Sequence, residues 1–216
     1  MALNKLKFNS INVTPAASQA IRFNSSANGL ETASAGGALV KISSSTISSG
    51  TSSVSITSGI DSTYKEYLFI FNNIHMSQDC EFHFNLSADG GSNYNVTKTT
   101  TTFRAYHNEA GNLSGLGYVT SYDLAQGTGT QHLADTGGSS DDETSSGFLH
   151  LFDPSNTTFV KHFIATANTQ FPTAYSGNYF SAGYGNTTSA VDAVQFKMSS
   201  GNIDSGVIKM YGLSKS

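Results

Sequence analysis

Six histidines, His75, His83, His107, His132, His150 and His162, are the first residues to weigh as metal ligands or proton carriers. Their spacing speaks against both roles, because no two of them fall in an HExxH, an HxH or any other ligand pattern. His83, His150 and His162 alternate with apolar neighbours, so each is expected to face solvent or a partner from a strand rather than a core. The acidic run Asp141-Asp142-Glu143, with Asp135 close by, offers oxygen ligands of the kind calcium takes. It lacks EF-hand spacing, and adjacent carboxylates on a loop are expected to be solvated. Asp79, Glu81, Asp123 and Glu143 could supply a carboxylate pair for glycoside hydrolysis, which needs two groups held across a cleft. There is no GxSxG elbow, no His signature around Cys80 and no Gly-rich phosphate loop, so no catalytic residue, metal or cofactor is expected. Tyrosines flanked by turns remain. Of these Tyr122, Tyr175 and Tyr179 are the expected surface-recognition residues, since a Tyr ring offers apolar area with a polar tip.

The elements that would position such groups are strands. Charged residues make up 12 % of the 216-residue chain, about half of the ~25 % usual for a soluble domain. With 11 Lys+Arg against 15 Asp+Glu and a net charge of −4, there is no cationic surface to displace counterions from phosphates, so nucleic acid is not an expected partner. No apolar run approaches the ~20 residues of a membrane helix, so membrane insertion is not expected. Met1 to Phe8 lacks the apolar stretch of a signal peptide, so export is not expected either. Cys80 stands alone and forms no intrachain disulfide. The 14 Phe and 10 Tyr supply core area in a chain without Trp.

Period-two alternation recurs throughout, broken by Gly, Asn and Ser. Phe82, Phe84 and Leu86 share one face with Glu81, His83 and Asn85 on the other, and Val194, Phe196 and Met198 oppose Gln195 and Lys197. Tyr67-Leu68-Phe69-Ile70-Phe71 is apolar on both faces and reads as a central strand. Further strands are expected over 38–43, 53–57, 94–107, 117–122, 147–152, 158–166 and 178–184 and around Ile208 and Met210. Residues 123–146 read as a long polar loop, and Asp89-Gly90-Gly91-Ser92-Asn93 as a hairpin turn. The expected fold class is all-β, an antiparallel jelly-roll-like β-sandwich with a short N-terminal anchoring segment.

The first 60 residues differ in texture. Leu6, Phe8, Ile11 and Val13 form one short alternating piece, and Ile21 and Phe23 another before the turn Ala27-Asn28-Gly29-Leu30. Neither could bury its apolar face alone, since an isolated hairpin is marginal in water. Residues 1–35 are therefore expected to anchor the chain on another protein through these six side chains, with strands added to the main sheet as the alternative. Residues 36–60 are expected to connect, through a Ser-rich stretch with some strand character, to a β-sandwich domain over 61–216. Sheet edges are usually blunted with Lys, Pro or inward charges; here charge is sparse and only Pro15, Pro154 and Pro172 occur. Sister subunits or a larger particle are expected to cover the edges, and a neutral Ser/Thr/Asn surface suits such contacts.

The segment from Asp61-Ser62-Thr63-Tyr64-Lys65-Glu66-Tyr67 into Phe69-Ile70-Phe71-Asn72-Asn73-Ile74-His75 resembles a group of virion structural proteins of tailed bacteriophages, marine ones especially. So do Asp89-Gly90-Gly91-Ser92-Asn93-Tyr94 and the ending Gly201-Asn202-Ile203-Asp204-Ser205-Gly206 through Leu213. The opening, Leu6-Lys7-Phe8-Asn9 through Ile21-Arg22-Phe23-Asn24, is similar to the leader that precedes that domain. The resemblance implies a non-enzymatic β-sandwich module of a virion, assembled in the host cytoplasm with other tail or capsid proteins. It implies a homotrimer on a short tail fibre or tail tip, or as a capsid decoration, with a part in host attachment. The alternative is a lectin-like receptor-recognition module that takes a host surface glycan. A polysaccharide depolymerase would need two carboxylates about 5–9.5 Å apart in a cleft.

Overall fold

The structure is a computed structural model that describes residues 19–26, 28–34, 38–135, 139–171 and 174–213. Leu6, Phe8, Ile11 and Val13 lie outside the described residues. The strands in chain order are β1 (Gln19–Phe23), β2 (Leu30–Ser34), β3 (Leu39–Ile47), β4 (Ser53–Ile56), β5 (Glu66–Met76), β6 (Glu81–Ser87), β7 (Lys98–Asn108) and β8 (Ser114–Tyr118). They continue with β9 (Ala125–Gly127), β10 (Gln131–Asp135), β11 (Ser145–Phe152), β12 (Lys161–Phe171), β13 (Tyr175–Gly185), β14 (Ala193–Met198) and β15 (Ile203–Leu213).

Alternation decides which side of each strand is buried. Tyr67, Phe69 and Phe71 of β5 and Phe163 of β12 turn into the core of one sheet, while Phe82 and Phe84 of β6 and Phe196 of β14 do so from another. Their rings meet between the layers: Phe71 lies 5.2 Å from Phe82 and Phe84 lies 5.0 Å from Phe163, both edge-on, and Phe69 sits 5.8 Å from Phe196. Each such buried ring contributes roughly 1.5–3 kcal/mol. The first sheet has nine strands, in the order β3-β15-β5-β11-β12-β13-β7-β8 with β9 also on β7. The second has four, β10-β6-β14-β4, and every pairing in both is antiparallel. The expected all-β antiparallel sandwich is the fold.

Several local expectations change. The strands expected over 38–43 and 53–57 form, as β3 and β4, but they belong to the sandwich rather than to a connection before it: β3 pairs with β15 and β4 with β14, placing Ile47, Val54 and Ile56 in the core. The Asp89–Asn93 turn uses left-handed backbone at Gly90 (φ 70°) and Gly91 (φ 84°), as glycine permits. It is not a hairpin turn, however, because β6 and β7 belong to different sheets. The polar stretch 123–146 is not a plain loop. It contains β9 and β10, whose residues Gln131, His132, Leu133 and Ala134 are all buried, so no period-two signal survives in the sequence. Finally, β1 and β2 form a two-stranded sheet of their own and add nothing to the main sheet.

Close packing of neighbouring strands in the large sheet sets a test. Gly147 of β11 lies opposite Ala167 and Phe71, and a Cβ there would meet the Thr166 carbonyl oxygen at 2.2 Å and the Ala167 Cα at 2.7 Å, both backbone atoms. Gly147→Ala is expected to destabilise the protein by about 1–3 kcal/mol. Gly117→Ala, whose Cβ would meet nothing within 4 Å, is expected to stay within about 0.5 kcal/mol of the parent. Denaturant titration of the two variants checks both values.

Candidate functional site

The residues with most chemistry gather where β10 runs along the edge of the small sheet. Pairing with β6 sets His132 opposite His83 and Asp135 opposite Glu81, with an irregularity between His132 and Ala134. Such an irregularity re-aims side chains. It lets His132 turn inward beside Asp135, three residues on, where their polar atoms meet at 3.0 Å.

Asp135 is the hub. Its Oδ1 accepts hydrogen bonds from the Tyr122 hydroxyl at 2.7 Å and His132 Nε2 at 3.0 Å, and its Oδ2 from the Tyr179 hydroxyl at 2.6 Å and Arg104 Nη1 at 3.4 Å. Tyr122 comes from a 3-10 turn, Thr120–Tyr122, Tyr179 from β13 and Arg104 from β7. The Tyr122 ring stacks on the His132 ring at 3.7 Å and 4°. Beside this hub, His83 Nε2 donates to Glu81 Oε2 at 2.9 Å while its Nδ1 lies 2.8 Å from Thr130 Oγ1.

Burial and hydrogen bonding pull the acidities apart. Burial pushes the Asp135 carboxyl up, but the donors His132, Tyr179 and Tyr122 outweigh it and hold the group below the usual carboxylate range. Burial pushes His132 down, with Asp135 opposing, which favours the neutral imidazole, whose Nε2–H donates a hydrogen bond to the carboxylate. Burial, then the adjacent Asp135, raises the hydroxyls of Tyr122 and Tyr179. The hydrogen bond from His83 holds Glu81 down. Burial pushes the Cys80 thiol up to about 11, which leaves it a poor nucleophile.

A cleft of about 480 Å³ opens on this group, lined by Asp79, Glu81, Tyr122, Asp135, Phe171 and Ser200 among others. Glu81 and Asp135 form a carboxylate pair in a cleft, yet glycoside hydrolysis requires one member to stay protonated as the acid. Both are shifted the wrong way. Ligand atoms of Glu81, His132 and Asp135 lie within 4.8 Å of one another. Asp135 already receives four donors, two on each oxygen, so an ion there would have to displace a hydroxyl or the guanidinium. The arrangement is a hydrogen-bond network that satisfies Asp135 and pins β7, β10, β13 and the 3-10 turn together, while His132 Nδ1 and Gln131 Oε1 are buried without a partner.

Of the residues expected to form a recognition surface, Tyr179 requires correction. It is 0 % exposed, because it faces inward on β13 and its hydroxyl is taken up by Asp135. Tyr122 is half-buried and borders the cleft, whereas Tyr175 lies apart, tilted 6.1 Å from Tyr106 in a separate cleft with Arg104 and Leu113. Ile21 and Phe23 are exposed on the β1–β2 hairpin. The acidic run does not converge: Glu143 is buried and accepts from the Ser140 backbone N–H at 3.2 Å, while Asp142 takes Gln170 Nε2 at 3.4 Å. His132, Asp135 and Arg104 were not among the expected site residues. Their one signal was the clustering of Gln131, His132 and Asp135 in a chain otherwise poor in ionisable groups. Comparison with protein-family models, with curated proteins and with solved structures finds no match for the chain.

Linkage makes the network measurable. A histidine whose folded pKa lies below its unfolded value binds fewer protons when folded, so stability falls as pH drops through the ordinary value of 6.5. Lowering the pH from 7 to 5.5 is expected to destabilise the protein by up to about 1.4 kcal/mol per pH unit. His132→Phe, which keeps a ring on Tyr122 but cannot titrate, is expected to flatten that slope. Chemical denaturation across the range reads the difference.

Proposed function

We propose that the chain is a non-enzymatic structural protein of a virion, held on the particle by its N-terminal segment with the β-sandwich displayed on a short tail fibre, a tail tip or the capsid. The observation that supports this reading is the β1–β2 hairpin. Register puts Phe23 opposite Leu30 and Ile21 opposite Thr32 on one face, with Arg22 paired to Glu31 at 2.9 Å on the other. The hairpin is thus amphipathic, stands outside both large sheets, and leaves Phe23 71 % exposed. Two strands alone are marginally stable in water, so this apolar face needs a surface to dock on. The resemblance of residues 60–213 to phage structural proteins supplies the kind of particle. Phe23→Asp is expected to lower incorporation into particles at least about tenfold while the sandwich melts at an unchanged temperature. Normal incorporation of that variant overturns the reading.

A second reading, recognition of a host surface glycan, is favoured by the cleft, which sets the Tyr122 and Phe171 rings beside Glu81 and Ser200. Aromatic faces and carboxylate acceptors are what a sugar's apolar face and hydroxyls require. Binding on an array of host polysaccharide fragments is expected to weaken at least about tenfold in Glu81→Gln. No binding by the parent protein excludes this role.

A further inference from the structure

The nine-stranded sheet has two faces, and the small sheet lies on only one. Register traces what the other face carries. One transverse row runs Ile70, Phe148, Thr166, Phe180, Phe103, Tyr118 from β5 to β8. The row beside it runs Leu68, His150, Ile164, Ala182, Thr101. On the opposite flank Asn168, Asn178 and Ala105 lead to Leu116. None of these positions is Lys, Arg, Asp or Glu. Side chains that a monomer would ordinarily cover stand open: Leu116 is 75 % exposed, Ile164 50 % and Phe103 42 %, with the Phe103 and Phe180 rings stacked at 4.8 Å.

We propose that this outer face is where copies of the chain meet, one sheet packing on another. Size is the first argument. At ordinary strand and residue spacings the rows cover about 30 Å across the strands and about 20 Å along them, roughly 600 Å². That stands at the top of the ~300–600 Å² range of the largest patch on a monomer and, with its rim, approaches the ~800 Å² per partner of a stable interface. Charge is the second. A partner of different sequence is commonly selected by complementary charge; the rows from β5 to β8 carry none, the charges beside them being Glu66, 2.9 Å from His150, and Lys209 on β15 opposite Ile70, and a neutral surface meets its own copy without like-charge repulsion. Shape is the third. Thr166 stands between Phe148 and Phe180, and Ala182 and Thr101 follow Ile164, so the rows have dips among their large side chains into which the rings of a second such face can set.

The inference does not depend on the virion reading, and the experiment separates the two. Light scattering coupled to size exclusion, run on the full chain over a micromolar dilution series, is expected to give at least twice the mass of one chain. Ile164→Asp and, separately, Phe103→Ser are expected to return the mass of a single chain with an unchanged melting temperature. Should Ile164→Asp lose its cooperative melt, Phe103→Ser carries the test alone. Phe159→Asp, exposed but off these rows, and Phe23→Asp on the hairpin are expected to keep the parent mass. A single-chain mass for the parent overturns the proposal, as does an oligomer that both face variants leave intact.

Discussion

Four strands cannot cover nine, and that mismatch governs the molecule. Where the small sheet lies over β5, β11 and β12, the inner faces meet through phenylalanine, and the gap is closed by Phe69, Phe71, Phe82, Phe84, Phe163 and Phe196. Interiors tolerate neither voids nor overpacking, and Gly147, hemmed in by the Thr166 and Ala167 backbone and the Phe71 ring of its neighbouring strands, has no room even for a methyl group. Toward β13 and β7 the small sheet reaches its own edge strand, β10, and the character of the interior changes. Thr100, Thr102, Ser181 and Gln131 are buried there, and the layer is held by hydrogen bonds instead of rings: Gln131 Nε2 donates to the Tyr122 carbonyl at 3.0 Å, and Thr102 Oγ1 lies 3.1 Å from Ser181 Oγ.

The Asp135 network follows from that change. An edge strand leaves unpaired groups open to water, and a buried polar group without a partner costs several kcal/mol. Asp135 receives donors from three separate segments besides its own strand, so the corner is closed by one carboxylate rather than by packing. Lys98 plays a comparable part at the start of β7. Its ammonium is fully buried, donates to Asn85 Oδ1 and to the Val96 carbonyl at 2.8 Å, and is pushed down to about 8 by burial. These groups have the perturbed acidities that often mark active sites. Here the direction of each shift accounts for a structural role: a carboxylate kept charged by its donors, and an imidazole kept neutral by burial.

The strands that could be read in the sequence are those with one wet and one dry face. In β6, β14 and β12 the alternation of Phe with His, Gln or Thr survives because each side sees a different medium. Strand β10 escaped for the opposite reason. Gln131, His132, Leu133 and Ala134 are buried on both sides, in a polar interior, so hydropathy carries no period. The two-sheet division was equally invisible: a turn such as Asp89–Asn93 has the same residues whether it closes a hairpin or carries the chain from one layer to the other. The same limit explains Tyr179, whose neighbours Asn178 and Phe180 suggest no burial. Only the register of β13 against β7 and β12 fixes which of the three points inward.

Scarcity of charge then has a consequence for the outer face of the large sheet. Of the few ionised groups in the chain, Lys98, Lys161 and Glu143 are buried and Asp135 is nearly so. The exterior stays about as poor in charge as the 12 % of the sequence, and the central rows of the large sheet's outer face, from β5 to β8, have none. Surface charge is what ordinarily keeps protein molecules apart and sheet faces hydrated. The central rows of the outer face, from β5 to β8, lack that protection. The polar interior and the uncovered outer face both follow from the same unequal pairing of sheets, and the proposed contact between copies would give the outside the cover that the four-stranded layer provides within.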